Sequence, residues 1–225
     1  MKNFFIKNWV FVFMLVFAVN IFLSNRSKKE RYGQVIILNG PSAAGKSSIQ
    51  KEFQYLMMPK LWIKLGIDTL FDKPMPDITL ENLSYWQSEN LIRWVDSASD
   101  SEGNSVITLH VGPEGEKVAY GMNTAIADYA KQGCNVIVDY IAYKKEWLDD
   151  LRMKLEDVKT TWVKVEIPLS VLEEREAARG TSPKGHARSN YDTVHWNLKY
   201  DVVVNSEVQS AAEIAHFLKS HVEKK

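Results

Sequence analysis

The 225 residues contain a single cysteine, Cys134. That excludes an intramolecular disulfide and a multi-cysteine metal site, and it fits a reducing compartment. Net charge is absent as well, with 28 Lys+Arg against 28 Asp+Glu. The balance hides an asymmetry: residues 1–32 carry Lys2, Lys7, Arg26, Lys28, Lys29 and Arg31 against Glu30 alone. The rest of the chain is therefore mildly acidic, a poor match for a polyanion, and nucleic acid is not expected as a partner. There is no internal repeat and no low-complexity tract. Residues 9–23, apolar apart from Asn20, span roughly 22 Å as a helix, short of the roughly 30 Å hydrocarbon core of a bilayer.

Apolar residues make up 45% of the chain, enough for a sizeable core. The expected organisation is an N-terminal hydrophobic helix with a basic linker over residues 1–32, followed by one globular domain over 33–225. Extending the apolar run back to Phe4 reaches bilayer thickness, with Lys7 able to snorkel. An uncleaved anchor through residues 4–23 is one expectation. A cleaved signal peptide is the rival, although no small-residue cleavage site follows the run. A buried helix, or a true start at Met14, is a third reading. Basic residues after the run favour the inner membrane with the domain in the cytoplasm; a soluble or exported protein is the alternative.

Along the domain, short β-branched runs alternate with helical patterns. Strands are expected over 34–39, 61–67, 135–140, 162–167 and 200–205, and one hairpin arm over 106–111. Helices are expected over 46–57, 78–96, 116–132 and 145–155, then from Ser170 to Gly180, and over 211–222. Gly133 reads as the residue ending the long helix. Ser170 with Glu173 has the spacing of a capping box. Strands of this kind, buried on both faces, predict a five-stranded parallel sheet with helices on both sides.

The first strand runs into Gly40-Pro41-Ser42-Ala43-Ala44-Gly45-Lys46-Ser47, which fits G-x-x-x-x-G-K-[ST] between a strand and a helix. Backbone amides of such a loop curl around a phosphate at a helix N-terminus. Lys46 is expected at the β and γ phosphates, Ser47 on Mg²⁺, and Ser48 at the edge of the same cradle. The expected cofactors are ATP and Mg²⁺.

Asp68 follows the second strand, at the edge where a parallel sheet meets its ligand. It suits a general base for an acceptor hydroxyl, and equally an N-cap. Asp72, a turn further on, reads as solvated. Asp139 closes an apolar strand, as a Mg²⁺-assisting carboxylate does; it would also suit contact with the acceptor, or a plain strand-end turn. Arg175 and Arg179 share a helix face. They suit charge stabilisation in phosphoryl transfer, or pairing with neighbouring glutamates on a solvated face. The following residues, TSPKGHARS, read as a mobile basic loop carrying Lys184, His186 and Arg188. His195 and Trp196 read as core or pocket wall, with core the preferred reading.

Taken in order, VIILNGPSAAGKSSI, LGIDTL, VGPEGEKVAYGM, NVIVDY, EREAARG and YDVVVN resemble the chloramphenicol phosphotransferase family over nearly the whole domain. The resemblance implies a P-loop NTPase fold of the nucleoside-kinase-like branch with a lid, and ATP-dependent phosphorylation of a hydroxyl on a small molecule. It puts the general base on Asp68, the loop lysine and hydroxyl on Lys46 and Ser47, and the lid arginines on Arg175 and Arg179. The family pattern Arg-Gly-Asp-Arg reads here Arg179-Gly180-Thr181-Ser182, so a second arginine is missing and Lys184 or Arg188 would have to replace it. Residues 74–104, which should wall the acceptor pocket, show little likeness. A kinase for another metabolite, such as a sugar, a shikimate-like acid or a nucleotide, and a non-catalytic nucleotide-binding module anchored at a membrane are the alternatives.

Overall fold

A computed structural model describes residues 32–97, 103–104 and 106–224. The expected N-terminal helix over 4–23 and most of its linker lie outside the described residues. Among the described residues no helix is long and apolar enough to cross a membrane.

Five strands, β1 (Val35–Asn39), β2 (Trp62–Gly66), β5 (Asn135–Tyr140), β6 (Thr160–Glu166) and β7 (Val202–Asn205), form a parallel sheet in the order β2-β5-β1-β6-β7. Successive side chains of β1 point to opposite faces, as a strand requires. Val35 and Ile37 join one core layer, Ile36 and Leu38 the other. The first layer packs under α3 (Pro113–Lys131) and α4 (Lys145–Lys154), through Met122, Ile126, Trp147 and Leu151. The second packs under α1 (Lys46–Met57), α5 (Leu169–Arg179) and α7 (Ala211–Lys224), through Ile49, Phe53, Leu172, Ile214 and Leu218. The expected sheet, covered on both faces, is what the chain forms.

Three expectations need correcting. Residues 78–96 do not form a helix: they give one short turn, α2 (Leu83–Trp86), and then β3 (Ile92–Ser97). This strand pairs antiparallel with β4 (Val106–Val111), the expected hairpin arm, apart from the main sheet. The long helix α3 starts at Pro113, whose fixed φ suits a first helical turn, rather than at 116. The capping box at Ser170 does not form. Helix α5 begins after Pro168 with no side-chain cap, and Glu173 turns instead to Arg188. Gly180 and Gly133 stand at the ends of α5 and α3 with φ of 62° and 92°, the left-handed conformation expected there.

Candidate active site

The carboxyl ends of the parallel strands share one edge of the sheet, and every residue singled out for chemistry lies along it. Strand β1 ends on Asn39, fully buried, whose Nδ2 donates to the Val194 carbonyl (2.8 Å) and to Tyr200 Oη (2.7 Å). That anchors the start of the glycine-rich loop. Gly45 closes the loop at φ 86°, a left-handed turn that costs glycine nothing, and α1 begins at the next residue. The first amides of α1 therefore open toward the loop, the arrangement that receives a phosphate.

Lys46 is buried at 3% exposure. Its ammonium donates to the carbonyls of Gly40 (2.9 Å) and Pro41 (2.7 Å) and lies 3.3 Å from Oδ1 of Asp139. Burial pulls the Lys46 pKa below the usual lysine value, against the opposing pull of Asp139. Burial likewise pushes the Asp139 carboxyl up, and Lys46 resists it. Ser47 and Ser48 are exposed at the mouth of the loop.

Asp139 lies opposite Gly66 across the β2–β5 ladder. A Cβ at Gly66 would stand 2.7 Å from the Asp139 carbonyl oxygen, so the ladder needs glycine there. Two residues on, Asp68 opens a wide helical turn, Asp68–Asp72, and is exposed. The turn's cap position is Ile67, with no side-chain cap, so the N-cap alternative for Asp68 is not realised. Its charge is near enough to act on Lys46, Asp139 and Tyr143. Asp72 is exposed, as expected.

Arg175 and Arg179 reach the same edge from α5. Arg179 Nη2 donates to Ser42 Oγ in the loop (2.9 Å) and to Ser182 Oγ (3.3 Å). Arg175 donates to the carbonyl (2.8 Å) and hydroxyl (3.3 Å) of Ser206, just past β7. Neither shows the glutamate pairing held open as the alternative.

The residues after Gly180, expected as a mobile loop, are folded. The buried carboxylate of Glu176 accepts from the backbone N–H of Gly185 (2.9 Å) and of Ala187 (2.7 Å), which fixes the entry to a short turn, α6 (His186–Ser189). Arg188 is bound through both Nε and Nη2 to Glu173, at 2.6 and 3.1 Å. Its guanidinium is thus engaged by Glu173, while Lys184 is exposed. Asn190 ties this segment to the glycine-rich loop by accepting from the Ser42 N–H (3.4 Å). His195 is half-buried, with Nδ1 2.7 Å from Tyr200 Oη, and lines a cavity with Tyr191 and Asn205, so it stands as pocket wall; Trp196 packs against the core and donates to the Ala142 carbonyl (2.6 Å).

Sequence reasoning missed the far wall of the site. A cleft of about 390 Å³ runs between the loop (Ala43, Gly45, Ser47), Arg175, and Ser206, Gln209 and Ile214 at the start of α7. Its size and position beside the phosphate cradle suit the remainder of a nucleotide. No motif announces it. Tyr143, just past β5, was also unremarked. Among the described residues no three His, Cys, Asp or Glu side chains gather as a metal cluster. A Mg²⁺ ion held by one serine, one carboxylate and phosphate oxygens needs no such cluster. The buried Oδ1 of Asp139, which has no hydrogen-bond donor beyond the long pairing with Lys46, fits that donor set.

Residues 33–223 match the family described as chloramphenicol phosphotransferase-like protein. Two strains of Mycobacterium tuberculosis carry a relative provisionally named an O-phosphotransferase; it is 32% identical over 186 residues, covering 83% of this chain and 80% of its own. Among solved structures, the chain resembles the Mycobacterium tuberculosis APS kinase bound to AMPPNP and APS (TM-score 0.55, 17% identity, 85% of this chain and 98% of that one). It also resembles the shikimate kinase of Acinetobacter baumannii bound to shikimate (TM-score 0.52, 12% identity, 85% and 94%). At these identities the structural likeness speaks to the fold, that of P-loop kinases.

Proposed function

The chain belongs to the chloramphenicol phosphotransferase-like family and is a phosphotransferase of the kinase type; from that premise we propose that it moves the terminal phosphoryl group of ATP to a hydroxyl of a small molecule, chloramphenicol or a compound of comparable size. The observation that carries this reading is the meeting of a buried loop lysine, Lys46, with Asp139, and of both with the field of the exposed Asp68.

The roles follow from charge and position. The loop from Gly40 to Ser48 holds the phosphates, and the cleft of Gln209 and Ile214 takes the base and sugar. Lys46, released from Asp139 by the incoming phosphates, neutralises the β and γ oxygens. Ser47 and Asp139 are the residues that would hold Mg²⁺, whose charge when bound screens the same oxygens. Asp68, exposed and with no side-chain hydrogen bond among the described residues, orients the acceptor hydroxyl and takes its proton. Arg179, hydrogen-bonded to the loop, and Arg175 beside it spread positive charge over the phosphoryl group in transit.

The acceptor enters beside Asp68, under the β3–β4 hairpin. This is the part of the chain least like the family pattern, so a panel of chloramphenicol, a sugar, a shikimate-like acid and a nucleotide is the right screen. The reading is tested with Asp68→Asn. ATP affinity holds and turnover falls by about 100-fold or more. Unchanged turnover would remove Asp68 from the mechanism. An extension over 1–32 ahead of a catalytic domain over 33–225, with an anchor through residues 4–23, is a proposal from sequence alone. Fractionation of cells expressing the full chain and a chain starting at residue 32 tests it, the full chain alone being expected in the membrane.

A further inference from the structure

The β3–β4 hairpin lies outside the main sheet, with Ile92 and Val111 buried in the first core layer and the Val111 carbonyl accepting from Lys144 Nζ (3.2 Å). The Ile107 N–H donates to the Gly185 carbonyl (3.4 Å), at the foot of the lid turn. Beside that contact, Trp94 of β3 meets the imidazole of His186 edge-on, centroids 4.5 Å apart at 62°. The Tyr143 hydroxyl lies 2.9 Å from Nε2 of the same imidazole, the two rings within 21° of parallel. Hairpin, lid and the loop after β5 thus converge on one buried side chain.

His186 is 3% exposed, and its Nδ1 has no hydrogen-bond partner. Burial, with Arg179 and Lys46 nearby, pushes its pKa down to about 4, so the ring is neutral at physiological pH. Tyr143 is four residues past Asp139 and half-buried. Burial first, and then the charges of Asp68 and Asp139, raise its pKa, so it stays a neutral phenol and is no base. A neutral imidazole takes up one hydrogen bond of that phenol. If the phenol donates to Nε2, its lone pairs remain; if Nε2–H donates, the phenol proton remains. In either tautomer one hydrogen-bonding position of Tyr143 stays open in the field of the carboxylate proposed as base.

We propose that Tyr143 binds a second polar group of the acceptor (a hydroxyl, carbonyl or amide close to the hydroxyl that receives the phosphoryl group), and that His186, packed by Trp94, is the positioning residue that aims the phenol. This rests on the phosphotransfer reading above. It makes acceptor choice a property of the junction between hairpin, lid and β5 rather than of the loop and Asp68 alone. A clasp that merely docks the lid would use the same contacts, so the test has to separate the two.

The experiment is steady-state kinetics of the full chain with the panel acceptor of highest kcat/KM, comparing wild type, Tyr143→Phe, His186→Gln and His186→Phe. Tyr143→Phe is expected to lower kcat/KM for the acceptor about 5- to 10-fold while the KM for ATP stays within about twofold, the size of one neutral hydrogen bond. An analogue of the acceptor lacking the second polar group should be handled equally by wild type and Tyr143→Phe. His186→Gln, which keeps a hydrogen-bonding group beside the phenol, should retain most activity, and His186→Phe should lose as much as Tyr143→Phe. If Tyr143→Phe does not fold, the contrast between the two His186 variants carries the test.

Acceptor constants unchanged in Tyr143→Phe, or the constants for ATP and acceptor moving together with a drop in Tm, would overturn the proposal and leave the kinase reading standing. Wild-type protein that binds ATP but phosphorylates nothing in the panel would overturn the kinase reading and this inference with it.

Discussion

The Lys46 ammonium and Oδ1 of Asp139 lie 3.3 Å apart at the carboxyl edge of the sheet, at 3% and 16% side-chain exposure. Two further partners of Lys46 are carbonyls of its own loop, Gly40 and Pro41. The loop is thus tied down by the cation that is meant to bind phosphate. Removing one member leaves a buried charge unpaired. Asp139→Asn is expected to cost about 3 kcal/mol of stability, and Lys46→Met combined with Asp139→Leu to restore most of it. Urea unfolding of the nucleotide-free proteins checks this.

Glu176 holds the lid turn by its two backbone contacts, with Gly185 and Ala187. Its loss leaves two buried N–H groups without an acceptor. Glu176→Ala is expected to destabilise the protein by about 2–3 kcal/mol. Amide exchange should speed up at Gly185 and Ala187 before it does in the sheet.

Arg179 bridges α5 to the loop at Ser42. Replacing its planar fork with a point charge keeps the sign but not the geometry. Arg179→Lys is expected to lower kcat by about 10- to 100-fold, with ATP affinity changed by less than about fivefold. Stopped-time product assays and nucleotide titration separate the two effects.

Two histidines, His186 and His195, have pKa values pushed down to about 4, in both cases chiefly by burial. Each is lower in the folded chain than the usual histidine value of about 6.5, so the unfolded chain binds more protons between those limits. Stability therefore falls as pH drops from about 6.5 toward 4. Asp139, whose carboxyl burial pushes up, acts in the opposite sense, so the comparison has to isolate one group. Between pH 7 and 5 the wild type should lose about 1–2 kcal/mol more than His186→Gln does. Denaturant midpoints at the two pH values give the difference.

The parts of this protein that were legible in the sequence are those where chemistry dictates residue type. A phosphate cradle needs the glycines, Lys46 and Ser47 in order, and a doubly covered parallel strand needs an apolar run such as Val35–Asn39. The hairpin was half legible. Val106–Val111 reads as a strand, but its partner Ile92–Ser97 lies off the sheet with Arg93 and Asp96 in it, and a short half-exposed ribbon leaves a weak alternation. The preceding residues around Leu83 then look helical over too long a span. The cleft wall at Ser206 and Gln209 is built from small polar residues with no chemistry of their own. Glu176 was silent for another reason, since its partners are backbone amides, which any residue type supplies.

The most direct test of the account follows ATP, ADP and acceptor together by mass spectrometry, using the full chain with Mg²⁺, with and without chloramphenicol and the other panel compounds. The account predicts that one acceptor accelerates ADP formation and gains one phosphoryl group for each ADP released. ADP released at the same rate with or without every acceptor, and no phosphate ester formed, would contradict it.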